Sequence, residues 1–145
     1  MLTKTITYTD YDGHKRTEEH YFNLSKAELV DMEVNTEGGM EKWLKDMIEA
    51  EDKKRFLELL KNLILKSYGE KSPDGKYFVK EDENGKPLSN KFKNTEAYTE
   101  LLMEFLTDDE AAAKFVNGVL PSDIVPKKTT TPKKTSTSNK KSVTE

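Results

Sequence analysis

The stretch DKKRFLELLKNLILKSYGEKS, Asp52–Ser72, is unmatched in apolar content elsewhere in the chain and decides the fold. Seven of its eight large apolar residues cover roughly half of a helix circumference, wider than the stripe of an ordinary surface helix. Asp52 is a residue type that caps helix N-termini, and Gly69 is one that follows C-termini. We therefore predict a buried helix onto which the other segments pack. The apolar residues are Phe56, Leu57, Leu59, Leu60, Leu63, Ile64, Leu65 and Tyr68.

Before this helix, the sequence first has the alternating pattern of β-strands and then the residue spacing of helices. Thr3–Thr9 has the pattern of a strand, Asp10–Gly13 that of a turn and His14–Leu24 that of a returning strand, so a β-hairpin is predicted. Two strands alone are marginal in water, and the hairpin is expected to pack on a helix. Ser25–Glu28 is a capping box that starts a short helix. Met40–Ile48 has the spacing of a second amphipathic helix.

The segments after the central helix are first rich in turns and then helical. Tyr77–Val79 is a short apolar piece between two turns and is predicted to be a strand or an extended segment. Thr95 is expected to cap a helix that carries a row of glutamates. Thr107–Glu110 is a second capping box, whose helix is predicted to stop at Gly118.

These elements predict a mainly α fold of the α+β class. An N-terminal β-hairpin packs on a domain of four to five helices, residues 1–125. Residues 126–145 consist largely of Lys, Thr, Ser and Pro, and are predicted to form a disordered tail because they cannot bury enough apolar surface to fold.

The charge is distributed unevenly between these two parts. The chain has a net charge of −3, but the tail carries six lysines and one glutamate, which leaves a net charge of −8 on the folded part. An acidic body argues against specific nucleic-acid binding, which needs a basic face. The absence of cysteine excludes disulfides, thiolate metal sites and cysteine nucleophiles. No signal peptide or membrane-spanning run is apparent, so a soluble intracellular protein is expected.

Residues with catalytic or metal-binding chemistry are few and poorly placed for it. His14 and His20 share a predicted strand without further ligands at metal-binding spacing, and both are expected to be exposed to solvent. Asp10-x-Asp12 resembles the start of a calcium loop but lacks the later oxygen ligands, so a turn is predicted. Gly38-Gly39 is expected to be a loop joint rather than an anion cradle. The sequence therefore predicts no catalytic, cofactor-binding or metal-binding residue.

Two features are candidates for partner binding. Glu96, Glu100 and Glu104 form an acidic row on one helix face, which is either a solvated surface or a recognition site for a basic partner. Leu65 and Met103 lie outside the apolar arcs of their helices. Either another element covers them, or they belong to a binding surface, where Met and Leu side chains adapt to varied apolar partners. The lysine-rich tail is either a solubilising extension or a nonspecific binder of nucleic acid or acidic surfaces.

Three segments, in this order, carry a family resemblance: Tyr21–Leu29, Ile64–Ser72 and Thr95–Tyr98. They resemble segments of the tail assembly chaperones of long-tailed, siphovirus-type bacteriophages that infect Gram-positive hosts. The likeness covers residues 1–125 and stops at the tail. It rests on the amino-acid sequence of these segments and on their order along the chain, and it includes no catalytic signature.

The resemblance implies a non-enzymatic protein without cofactors that acts in the host cytoplasm and is not expected in the mature virion. Such a chaperone binds the long tape measure protein and keeps it soluble until tail tube subunits polymerise around it. The tail tube protein and further copies of the chain remain open as additional partners. The main alternative is a small phage adaptor that binds a virion or host protein through the hairpin edge. Nucleic-acid binding through the basic tail is a third class.

Overall fold

The computed structural model describes residues 1–35, 37–49 and 52–121. The predicted tail, residues 126–145, and the predicted domain boundary at residue 125 lie outside these residues. Within the described part, five helices of ten residues or more and one four-residue helix accompany a four-stranded antiparallel sheet. The predicted α+β class, with helices packed on an N-terminal hairpin, is confirmed.

The sheet begins with the predicted hairpin. Strands β1 (Leu2–Thr9) and β2 (Lys15–Phe22) pair along their full length. Gly13 has a φ of 84° in the connecting turn, and this left-handed conformation is one that glycine adopts without steric cost. The sheet then continues through β3 (Tyr68–Lys71) and β4 (Phe78–Val79), in the order β1-β2-β3-β4. The predicted hairpin is therefore half of a larger sheet, and β1 is its long edge strand.

Most helix starts are where the sequence predicts them. The helices are α1 (Lys26–Asn35), α2 (Gly39–Ile48), α3 (Lys53–Ser67), α4 (Ser89–Phe92), α5 (Glu96–Thr107) and α6 (Asp109–Val119). The capping box before α1 is formed reciprocally, since Glu28 N–H donates to Ser25 Oγ and Ser25 N–H to the Glu28 carboxylate. Asp52 and Thr95 cap α3 and α5 as predicted.

Two predicted helix ends on α6 are displaced by one residue. The N-cap is Asp108, whose carboxylate accepts from the N–H groups of Glu110 and Ala111. Thr107 belongs to α5 instead, where its hydroxyl donates to the Met103 carbonyl. Helix α6 runs one residue past Gly118, to Val119. Asp108 is thus both the C-cap of α5 and the N-cap of α6.

Gly69 lies at the predicted C′ position, directly after the cap residue Tyr68, but it does not adopt the left-handed conformation by which such a glycine ends a helix. Helix α3 ends at Ser67, and Tyr68 is already extended, with a ψ of 140°. Gly69 lies in β3, where an added Cβ would come within 2.9 Å of the Val79 carbonyl oxygen and 2.6 Å of the Phe78 ring. The glycine is therefore explained by the close approach of β4 and not by a left-handed helix cap.

The core is built from α3, as predicted, together with an aromatic cluster from four other elements. Leu60, Leu63 and Ile64 of α3 are fully buried. The Phe22 ring at the end of β2 lies 5.3–5.8 Å from the rings of Tyr68, Phe92 and Phe115, measured between centroids. Such edge-to-face pairs add about 0.5–1.5 kcal/mol each beyond the buried area. The cluster fixes the end of the hairpin against β3, α4 and α6.

Lys80, directly after β4, ties three elements together. Its Nζ donates to the backbone carbonyls of Asn23 at 2.6 Å and Lys66 at 2.8 Å, and to the Glu28 carboxylate at 2.7 Å. Burial lowers the pKa of Lys80, and the hydrogen bond to Glu28 opposes this shift. The ammonium group thus joins the end of β2, the end of α3 and the start of α1.

Replacing Lys80 by Met is expected to lower the free energy of unfolding by about 2–3 kcal/mol, because two backbone carbonyls and a carboxylate lose their donor. Urea denaturation followed by circular dichroism measures the loss. Lys76→Met, at an exposed turn position, is the matched control and should change stability by less than about 0.5 kcal/mol. Equal effects from the two substitutions would show that the Lys80 contacts do not hold the fold.

Candidate partner-binding surface

Helix α5 lies along β1, and its acidic row follows the strand. Ala97, Leu101 and Phe105 are buried and form the inner face of α5. At one end, Lys4 Nζ lies 2.8 Å from Glu104 Oε2, and at the other, the Tyr11 hydroxyl is 3.4 Å from Glu96 Oε2. Helix and strand therefore run in opposite directions, with the glutamates on the flank of α5.

An open groove of about 270 Å³ separates this flank from the strand; we call it the β1–α5 groove. Met103 lies in it with 53% of its surface exposed, beside the exposed Glu100. An exposed thioether next to carboxylates can take up a long apolar side chain that ends in a positive charge. The lining residues are Thr5, Ile6, Thr7, Glu100, Leu101, Met103, Glu104 and Thr107.

The structure brings together some of the residues that the sequence singles out and separates others. Met103, Glu100 and Glu104 line the same groove, and Glu96 lies near Tyr11 beyond its end. Leu65 is on α3, is half-buried and packs against the core. Its position favours the interpretation that a neighbouring element covers it, while Met103 keeps its exposure.

A second exposed apolar patch was missed by sequence reasoning. Val30 and Val34 of α1 have 63% and 77% of their surface exposed, one helical turn apart. Their spacing of four residues places them on one face of the helix, away from the buried Leu29. The signal was present in the sequence, because Val30 and Val34 are spaced four residues apart on a different helix face from Leu29.

His20 contradicts the prediction that both histidines are exposed. His14 is, with 76% of its side chain exposed, but the His20 side chain is only 12% exposed. The His20 ring lies 5.2 Å from the Phe92 ring and 6.2 Å from the Tyr68 ring. Burial lowers the pKa of His20, and the nearby Glu18 carboxylate opposes this only in part. Tyr68 of β3, which pairs with β2, and Phe92 of α4 cover the His20 ring, and both reach it only in the folded chain.

The predicted turn at Asp10 forms, with Gly13 N–H donating to the Asp10 carbonyl at 3.0 Å. Asp10, Asp12 and His14 place oxygen and nitrogen atoms within 4.8 Å of one another. The Asp10 carboxylate is already occupied, because it accepts from the N–H groups of Asp12 and His14 and from Arg16 Nε at 2.6 Å. The hydrogen bond from Arg16 is the main cause that lowers the pKa of Asp10 to about 2.

Comparison with protein families decides the class of protein. A family model described as phage tail assembly chaperone matches residues 1–145. The chain belongs to this family. The match includes residues 126–145, so the expectation that the likeness stops at residue 125 was too narrow. No curated protein and no solved structure matched this chaperone. None of the helices in its described residues is both long and apolar enough to cross a bilayer.

The buried His20 is expected to make the stability of the chaperone depend on pH. Its pKa is lower in the folded protein than in the unfolded chain, so the unfolded chain binds more protons as the pH falls below about 6.5. The free energy of unfolding should therefore fall between pH 7 and 5, by at most about 1.4 kcal/mol per pH unit for one proton. Urea denaturation at each pH measures it.

His20→Leu should flatten this dependence, whereas His14→Gln should leave it unchanged. Asp10 does not contribute to the change in stability between pH 7 and 5. Its pKa is about 2 in the folded protein, against the ordinary value of 3.8, so its linkage to stability falls at a lower pH. An unchanged slope in His20→Leu would contradict the assignment.

Proposed function

We propose that this protein binds the tape measure protein of its phage and keeps it soluble until tail tube subunits polymerise around it. The observation that carries the proposal is the match of the tail assembly chaperone family to the whole sequence. A tape measure protein presents long apolar helices before it is packed in the tube, and such a client needs a partner that covers apolar side chains reversibly. We further propose a long-tailed phage of a Gram-positive host, and action in the host cytoplasm.

The β1–α5 groove is the surface that best supports this role. It combines an exposed methionine, which adapts to varied side chains, with a flank of glutamates that stays hydrated. Weak contacts of this kind reach useful affinity when several chaperones bind one long client, so a homo-oligomer or several independent copies would serve equally. A role without catalysis is proposed, and the tail tube protein is the candidate partner at the moment of release.

The alternative is a phage adaptor that binds a virion or host protein through the hairpin edge. The observation in its favour is that β1 is the edge strand of the sheet. Nucleic-acid binding through residues 126–145 has less support, because the acidic body would repel the phosphate backbone near the site of attachment.

Coexpression with the tape measure protein tests the proposal. We expect the soluble fraction of the tape measure protein to rise severalfold, and the two proteins to copurify at low salt. Coexpression with an unrelated acidic protein of similar size is the control. If solubility is the same with either partner, the chaperone proposal is wrong.

The same assay identifies the surface. Met103→Asp should abolish most of the gain, because it places a charge at the exposed apolar position of the groove. Val34→Asp, at an even more exposed apolar position on α1, is the control and should retain the gain. Loss of the gain in Val34→Asp, with the gain retained in Met103→Asp, would place the client site on α1 and not in the groove.

A further inference from the structure

The outer edge of β1 offers unpaired backbone groups in a regular order. In the hairpin, Asp10 N–H donates to the His14 carbonyl, and the register continues from this pair with Tyr8 opposite Arg16 and Ile6 opposite Glu18. Hydrogen-bonded pairs alternate with non-bonded pairs in an antiparallel ladder. The even-numbered residues of β1 therefore bond to β2, and the odd-numbered ones direct their N–H and C=O groups away from it.

The side chains agree with this alternation. Thr7 and Thr17 place their Oγ1 atoms 3.0 Å apart, which fits a non-bonded pair, where opposite side chains approach most closely. Among the described residues, none hydrogen-bonds to the outward backbone groups of the odd positions. The edge thus presents donors and acceptors from four threonines in succession: Thr3, Thr5, Thr7 and Thr9.

The α5 flank beside this edge sets the chemistry of what can bind there. Glu104 is already paired with Lys4, while no described residue forms an ion pair with the exposed Glu100. Met103 is the exposed apolar side chain at the same level of the strand. A strand added to β1 would direct alternate side chains at this flank. Those side chains would contact the apolar Met103 next to the negatively charged Glu100.

A second copy of the chain fits this edge poorly. Adjacent strands lie about 4.8 Å apart. Helices are about 10 Å in diameter, so two α5 helices covering paired β1 strands would compete for the same space. The two-fold arrangement would also bring two acidic rows together. The chain's own residues 126–142 supply lysines, but they contain no large apolar side chain to cover Met103.

We propose that the β1 edge takes up an extended segment of another protein as a fifth strand of the sheet. The segment carries Lys or Arg beside an apolar residue on its alternate, inward positions, facing Glu100 and Met103. Its backbone pairs with the outward groups of Thr3, Thr5 and Thr7. If the bound segment belongs to the tape measure protein, the inference rests on the proposed function. The addition of a strand to the β1 edge does not in itself depend on that function.

Binding of a designed peptide to the full chain tests the inference without the client. The probe is a fluorescent nine-residue peptide with Thr at odd positions and Lys, Val, Lys, Val at even positions. We expect saturable binding by fluorescence anisotropy at low salt, and at least tenfold weaker binding when both lysines are Glu. Glu100→Lys should weaken binding of the Lys peptide at least tenfold and strengthen binding of the Glu peptide. Binding that ignores both charge changes would overturn the proposal.

The backbone contribution is tested by removing one outward amide. Thr5→Pro deletes an N–H group that does not bond to β2, and it should weaken peptide binding at least tenfold. Thr5→Val keeps the amide and should bind the peptide normally. If Thr5→Pro does not fold, the same peptide N-methylated at alternate residues replaces it, and one methylation register should abolish binding. If the peptides methylated in the two registers bind equally well, strand addition is contradicted.

Two further outcomes would assign the edge to another occupant and overturn the proposal. A synthetic peptide of residues 126–145 that displaces the probe at equal concentration would identify the chain's own tail. A dimer by sedimentation that Thr5→Pro dissociates would identify a second copy. In either case the coexpression result would stand unaffected, because it does not depend on how the edge is occupied.

Discussion

The direct passage of α3 into β3 is the constraint on which the rest of the structure depends. The last carbonyls of a helix have no partners within it and need donors from elsewhere. Here the Ser67 carbonyl accepts from Asn23 N–H at 2.8 Å, and the Lys66 carbonyl accepts from Lys80 Nζ. Because Asn23 follows β2 and Lys80 follows β4, the end of the core helix holds both parts of the sheet. The hairpin is thereby fixed, with β1 left as the outer strand.

Local chemistry made much of this fold predictable. The caps at Ser25, Asp52 and Thr95 depend on neighbouring residues, and the structure shows each as expected. Strand β3 and the burial of His20 were not predictable, because both arise from pairing between segments more than forty residues apart. Gly69 shows the limit of local signals, since glycine after a helix has a second use wherever another strand approaches closely.

The candidate site was predictable in its composition and not in its geometry. Sequence spacing identified the row of Glu96, Glu100 and Glu104 and the displaced Met103. It could not show that β1 runs beside them, because that depends on how α5 packs across about one hundred residues of chain. The combination of an acidic flank, one exposed methionine and an unpaired strand edge exists only in the folded protein. This combination is the reason why we propose the surface as the site at which the chaperone binds a partner.

Amide hydrogen exchange, measured by NMR with and without tape measure protein, tests most directly whether the client is held along β1. In the free chaperone, the amides of Lys4, Ile6 and Tyr8 should exchange slowly and those of Thr5 and Thr7 rapidly, since only the former bond to β2. Client binding is predicted to slow the two threonine amides and to leave those of α1 unchanged. Protection confined to α1, with Thr5 and Thr7 unaffected, would contradict the account.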